Sequence, residues 1–214
     1  MISSAFNKLS ADKQDRILNA AFKEFAAQGY ELASTNRIVQ EAGISKGMLF
    51  YYFESKWGLY CFSVDYGIDY MRREYVDLLD DEETDFLKKL KHASEVKLEL
   101  YVRSPHLFNF MGSVVLDHEV NLPESLSNRL TEVQSTAYSK LFSNIDTTLF
   151  RNDLPAKQIV KLIQWSIDGY SQEITHRLAG RRLSTVDLKP HWEEFEAYLI
   201  ALRKVYYQQE EATS

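Results

Sequence analysis

Residues Ser34–Lys56 read STNRIVQEAGISKGMLFYYFESK, two short helical patterns joined by a tight turn. Ser34 or Thr35 caps the first, whose apolar residues Ile38, Val39 and Ala42 form an inward stripe. Gly43 breaks that helix, because glycine alone turns sharply there at no steric cost. Ser45 caps a second helix, Lys46–Phe53, by accepting a hydrogen bond from a free backbone N–H. At about 100° per residue, Leu49 and Phe53 share one face of it. Gly47, Met48 and Tyr51 point the other way, with Lys46 in the first turn and Phe50 on the flank. A helix that buries one face and offers glycine, lysine and aromatics on the other suits a DNA major groove. The pattern is that of a helix-turn-helix.

Working outward, the chain from Arg16 reads RILNAAFKEFAAQGYELASTNRIVQEAGISKGMLFYYFESKWGLY. The ordered pieces are ILNAAFKEFAAQGY, a Ser/Thr pair before the second helix, AGISKG, and YYFESK with a following leucine. Together they resemble the N-terminal DNA-binding domain of TetR-family transcriptional regulators, over roughly residues 16–60, the first quarter of the chain. The resemblance implies an all-α fold: an N-terminal three-helix helix-turn-helix domain plus a C-terminal helical bundle domain, about nine helices in all. It implies a DNA-binding domain over 1–54, a ligand-binding and dimerisation domain over 55–208, and a disordered tail over 209–214. The expected function is a ligand-responsive repressor, which binds a palindromic double-stranded DNA operator as a homodimer and is released by a small, apolar or aromatic effector. No cofactor, metal or enzymatic activity is expected.

Carried over position by position, the resemblance assigns Lys46 and Gly47 to base edges or adjacent phosphates. Tyr51 and Tyr52 match positions that give hydroxyl contacts to phosphate, and Lys56 one that pairs with phosphate beyond the helix. Thr35 and Ser45 add hydroxyl or N–H contacts at helix starts. For each tyrosine the competing reading is an aromatic core residue, and Tyr52 leans toward Leu49. Met48 and Phe50 depart from the common pattern of a small or polar residue and a tyrosine. Their presence shifts readout toward apolar contact, for instance with thymine methyls.

Composition agrees with a helical protein. Of 214 residues only 8 are glycine and 4 proline, and no alternating β-branched run stands out. No stretch approaches the roughly 20 apolar residues of a membrane span, and no leader pattern is present, so a cytoplasmic protein is expected. The single cysteine, Cys61, cannot staple the fold. A net charge of −6 sits awkwardly with a nucleic-acid partner, but its distribution is uneven. Residues 1–60 hold seven Lys/Arg and six Asp/Glu, a balance of +1, so the acid lies in the remainder. Charge permits DNA binding without arguing for it.

In chain order, residues 1–9 read as a mobile terminus. Ser10 is a candidate cap for a helix to about Gln28, with Ile17, Leu18, Ala21, Phe22 and Phe25 on one face and Gly29 closing it. Ser55 caps a fourth helix reaching about Leu79, and the carboxylates of Asp80–Glu83 mark a solvated break. Helical patterns follow over Thr84–Arg103, from Pro105, and from Pro123 to about Ser143. Two more run from Pro155 to Leu178 and over about Asp187–Gln208, separated by Gly180 and a basic loop at Arg181 and Arg182. On the last helix Trp192, Phe195, Leu199, Leu202 and Tyr206 recur every 3.5 residues or so. Ile159, Ile163, Ile167, Tyr170 and Ile174 form a comparable stripe on the helix before it. Periodicity alone fits internal core and subunit interface equally; the resemblance implies a dimer interface. It also implies an effector pocket, for which Phe62, Tyr66, Tyr70, Phe108, Met111, Trp165 and Tyr170 are candidate walls, though each also fits ordinary core packing.

Two other functions compete. An enzyme would need a phosphate loop, a nucleophile elbow or an HExxH pair, and the sequence has none of these. A helical adaptor that has lost its operator would not need an intact AGISKG…YYFESK.

Overall fold

The computed structural model describes residues 5–116, 120–178 and 189–208. Within them the chain forms nine α-helices and no β-strand. These are α1 (Ala11–Leu32), α2 (Thr35–Ala42), α3 (Lys46–Phe53), α4 (Lys56–Glu74), α5 (Phe86–Arg103), α6 (Pro105–Leu116), α7 (Glu124–Phe142), α8 (Ala156–Leu178) and α9 (Lys189–Tyr206). No described helix is long and apolar enough to cross a membrane. The expected basic loop at Gly180, Arg181 and Arg182 and the expected tail 209–214 lie outside the described residues.

Local chemistry sets the helix ends. The hydroxyls of Ser34, Ser45 and Ser55 accept from the backbone N–H groups of Arg37, Met48 and Gly58 respectively. Gly43 closes α2 at φ 65°, in the left-handed region. Ser10 differs from expectation: its side chain makes no capping bond, and its backbone carbonyl alone accepts from Lys13 and Gln14. Gly29, at φ 67°, kinks α1 as its position suggested, but the helix resumes to Leu32. Pro105 is the first residue of α6, and Pro123 and Pro155 stand immediately before α7 and α8.

The chain divides into two compact units, Met1–Leu78 with Lys97–Ala137, and Leu79–Val96 with Tyr138–Ser214. The division expected after residue 54 thus runs through packed structure. In the first unit α1 packs most extensively on α6 and α2. Phe110 of α6 stacks on Phe22 at 5.3 Å between ring centroids and meets Tyr60 of α4 edge-on at 5.7 Å. One apolar cluster therefore joins Ile17, Phe22 and Phe25, Ile38, Leu49 and Phe53, Leu59 and Val64, and Phe110. Each such side chain contributes about 1.5–3 kcal/mol on burial. Residues 5–9 are not the free terminus the sequence suggested. Phe6 is fully buried against Phe53 at 4.9 Å, Phe62 at 5.2 Å and Tyr52 at 6.0 Å.

The second unit centres on Phe86, Leu90, Phe150, Ile159, Ile163, Ile167, Phe195 and Leu199. Two charged groups are buried in it, and both are satisfied. Lys89 donates to the carbonyls of Lys140 (2.9 Å) and Ser143 (3.0 Å), closing the end of α7. Asp85 accepts from the Tyr207 hydroxyl at 2.7 Å and the Leu87 N–H at 3.1 Å, and pairs with Arg203. Burial alone would raise its pKa; the bonds from Arg203 and Tyr207 outweigh that and hold it below the usual carboxylate range.

Candidate nucleic-acid interface

α3 buries Leu49, Tyr52 and Phe53 and exposes Lys46, Gly47 and Tyr51. Tyr51 is 66% exposed, unusual for an aromatic residue in a helix interior, and leans on Tyr52 with centroids 5.6 Å apart. Gly47 has open space around it: a Cβ there would meet only the Ser45 hydroxyl, at 3.9 Å. The Lys46 ammonium stands 5.9 Å from the Phe50 ring centroid. Ser45 is exposed and Thr35 half-buried, both at helix starts; Met48 and Phe50 are half-buried on the flanks. Along one exposed face, α3 thus offers a cation, a stretch of bare backbone and a phenol.

Two expected contacts fall elsewhere. Tyr52 is only 5% exposed, its ring held between Phe6, Tyr51 and Phe53, so most of it serves the core. The Lys56 ammonium donates to three backbone carbonyls, Tyr30 (2.8 Å), Glu31 (3.0 Å) and Ala33 (3.3 Å), and lies 4.6 Å from the Tyr30 ring centroid. Those acceptors occupy every proton of the ammonium. Lys56 ties the end of α1 to the start of α4 and has no donor left for a phosphate.

Other cations of the head are also engaged. Arg37 makes a forked contact with Glu24, holding that carboxyl below the usual range, and Glu24 also accepts from the Ser34 N–H at 2.7 Å. Lys23 pairs with Glu41 at 2.8 Å. The turn from α3 into α4 is set sterically. A Cβ on Gly58 would land on the Phe53 carbonyl oxygen, a backbone atom unable to yield.

The expected effector walls do not form one group. Phe62, Tyr66 and Tyr70 make a ladder along α4, with successive centroids 6.5 and 6.4 Å apart. Tyr70 shares a hydrogen bond with Ser104 at 3.0 Å, and Phe108 meets Tyr101 edge-on. The Met111 sulfur fills the notch left by Gly67. Trp165 and Tyr170 belong to the other compact unit. Tyr170 donates to the His191 carbonyl at 2.7 Å, and burial pushes its pKa up to about 12. Phe62 borders a cleft of about 330 Å³ shared with Phe53, Glu54, Gly58, Cys61, Asp65 and Leu126.

The interface stripes also need correction. Ile159, Ile163, Ile167, Phe195 and Leu199 are buried within the single chain, and Trp192, Leu202 and Tyr206 pack against them. Side chains already shielded by their own subunit add no contact area to a dimer. Ile174 is half-buried. Ile200 (57% exposed) lies apart, beside Leu87 and Lys91. The other large apolar residues left outside are Leu162 (37%) and Trp165 (59%) on α8, and Tyr198 (46%) and Val205 (50%) on α9. With Gly169 and Ala201, also exposed, they form second stripes spaced three and four apart. Arg177 bridges Glu173 and Glu194, one turn beyond Gly169 and one turn before Tyr198, which sets both stripes on the same side of the helix pair. The spacing Leu162, Trp165, Gly169 was readable in sequence, but the longer isoleucine stripe masked it.

A capped helix pair with a left-handed glycine turn, packed on α1 and presenting one helix outward, is a helix-turn-helix DNA-binding head. Residues 17–60 match the family of bacterial regulatory proteins named tetR. An HTH-type transcriptional regulator of Staphylococcus aureus (strain MRSA252) is 28% identical over 137 residues, 63% of this chain and 66% of the relative, just under two thirds of its length. The crystal structure of a TetR family transcriptional regulator from Chloroflexus aurantiacus J-10-FL superposes with a TM-score of 0.73 at 22% identity, covering 98% of this chain and all of the other. The ketosteroid transcriptional regulator of Mycobacterium tuberculosis superposes with a TM-score of 0.61 at 16% identity, over 94% and 98% of the two chains. Residues 17–60 thus match the DNA-binding head of the tetR family, and the described chain shares its fold with TetR-family transcriptional regulators.

Proposed function

We propose that this regulator binds a palindromic operator as a homodimer and releases it when a small molecule binds. The observation that carries the reading is the outward face of α3, where Lys46, bare Gly47 and an exposed Tyr51 stand together on a helix fixed from behind by Leu49 and Phe53. One small head buries little DNA surface. Two linked heads read two half-sites and combine their affinities.

The dimer forms through the outer stripes of α8 and α9, Leu162, Trp165, Tyr198 and Val205, because these large apolar side chains face water in the single chain. The effector is apolar or flat and enters the cleft beside Phe62 and Leu126, which begins at the α3–α4 turn. A ligand that favours the non-binding conformation weakens operator affinity by the same factor that the operator weakens its own. One relative in fold is named for ketosteroids, a class of flat apolar molecules, in keeping with such a site.

Selection of bound duplexes from a random pool tests the reading. The expected product is a palindrome, with affinity cut at least tenfold by Tyr51→Ala while the dimer stays folded. Recovery of unrelated sequences, or Tyr51→Ala binding as well as the parent, would remove operator recognition from this face.

A further inference from the structure

The DNA-binding head holds seven Lys and Arg side chains, and the structure sorts them into two sets. Lys23, Arg37 and Lys56 are tied to Glu41, to Glu24 and to backbone carbonyls. Lys8, Lys13, Arg16 and Lys46 have no ion-pair partner among the described residues, and only Lys46 belongs to the recognition helix. Unpaired cations are the ones that exchange condensed counterions for phosphates.

Lys13 and Arg16 are three residues apart, on one side of α1. Further along, the same side carries Ala20, Lys23 and Glu24, which face α2: Ala20 is buried, Lys23 reaches Glu41, and Glu24 reaches Ser34 and Arg37. One turn earlier, that row arrives at the end of α2. The Arg16 guanidinium approaches to 3.9 Å of where a Cβ on Gly43 would stand, against the turn that leads into α3. Lys13 extends the row one turn further. At the other end of α3, Phe6 holds residues 5–9 against Tyr52 and Phe53, and the Gln14 amide donates back to the Leu9 carbonyl at 3.0 Å. The start of α1 and its leading arm therefore flank the recognition helix from its last turn to its first. Asp12, in the first turn of α1, lies near this row, favourably placed for the helix dipole and without an ion pair to Arg16. Asp15 lies on the other flank, near Tyr66.

We propose that Lys13 and Arg16 form a phosphate clamp alongside the recognition helix, gripping the DNA backbone without regard to sequence while α3 reads the groove. The inference rests on the DNA-binding reading and adds two contacts outside the helix-turn-helix. It also answers how a head with a balance of only +1 binds a polyanion: its pairing pattern leaves two cations free on α1, beside the turn into α3.

The test is the salt dependence of binding to a mixed-sequence duplex at low ionic strength, which needs no knowledge of the operator. Each lost phosphate contact lowers the slope of log affinity against log salt by about 0.9. Lys13→Gln and Arg16→Gln should each show that loss, the double variant about twice as much, and Arg16→Lys should keep most of the slope. Lys23→Gln is the matched control, since it removes the same charge from the same helix at a paired position. It should change the slope by much less. If Lys13→Gln and Arg16→Gln keep the parental slope, or if Lys23→Gln falls equally, the clamp does not exist and net charge alone acts. A parent that binds no duplex at low salt overturns the DNA-binding reading itself, a separate outcome visible before any variant is made. Thermal melts of each variant should match the parent, because both residues are outside the core.

Discussion

The ammonium of Lys56 sits 2.8 Å from the carbonyl of Tyr30, 26 residues back along the chain, and caps the end of α1. Position by position, a lysine after YYFES reads as a phosphate contact. In three dimensions it is a brace between the first helix of the head and the fourth, and the two roles separate experimentally. Lys56→Met should lower stability by about 1 kcal/mol, the scale of lost charge-assisted bonds at a half-exposed site. It should leave the salt slope of DNA binding nearly unchanged. A thermal melt and a salt titration on the same sample decide the matter, and a slope reduced by a full contact with no change in melting would restore Lys56 to the interface.

Two glycines eleven residues apart, Gly47 and Gly58, test the recognition helix in opposite ways. At Gly58 an added methyl strikes the Phe53 carbonyl, so Gly58→Ala should cost about 1–3 kcal/mol, the range for overpacking, and reduce duplex binding by misplacing α3. At Gly47 the methyl meets open space, so Gly47→Ala should melt like the parent or slightly higher while losing DNA affinity. Circular dichroism melts beside duplex titrations compare the two.

The helix pair α8 and α9 separates interface from core by exposure. Trp165→Glu, or the pair Tyr198→Glu and Val205→Glu, should yield a folded single subunit by sedimentation, with weakened DNA binding. Ile163→Ala, at a fully buried position, should instead cost about 2–5 kcal/mol in stability. Monomers produced by Ile163→Ala with no loss of stability would reverse this assignment.

Acid should loosen the second unit through Asp85. Its folded pKa is held below the ordinary 3.8, so its ionised form stabilises the fold at pH above that value. The contribution disappears as pH falls from 3.8 through the lower folded value. Asp85→Asn should therefore be less stable than the parent at neutral pH, and the gap should narrow as both are titrated below that point. Denaturant melts at neutral and acid pH measure it; a gap independent of pH would mean the carboxylate charge carries no weight.

The head was legible because its determinants are local. Ser34, Ser45 and Ser55 each cap with a donor three residues on, and Gly43 supplies the left-handed turn within its own helix pair. The misreadings involve partners distant in sequence. Nothing near Lys56 marks Tyr30 and Ala33 as its acceptors, and nothing in AFNKL distinguishes a buried Phe6 from a loose terminus. On α8 and α9 two apolar stripes coexist, and period alone states their spacing without saying which one its own subunit covers. The division into units was hidden for a related reason. The stretches Leu79–Val96 and Lys97–Ala137 alternate between units, and no break in composition accompanies the change.

Phe6 carries a practical corollary for anyone handling this protein. With its ring wedged against Tyr52 and Phe53, Phe6 ties residues 5–9 to the last turn of α3. A purification tag or fluorescent reporter joined ahead of residue 5 would feed directly into that packed segment, and a variant lacking Phe6 would uncover the cluster of Tyr52, Phe53 and Phe62 beneath. Labels for affinity or single-molecule work belong on exposed helical positions outside α3 and the segment 5–9, where they leave the exposed row of Lys46, Gly47 and Tyr51 as the sequence built it.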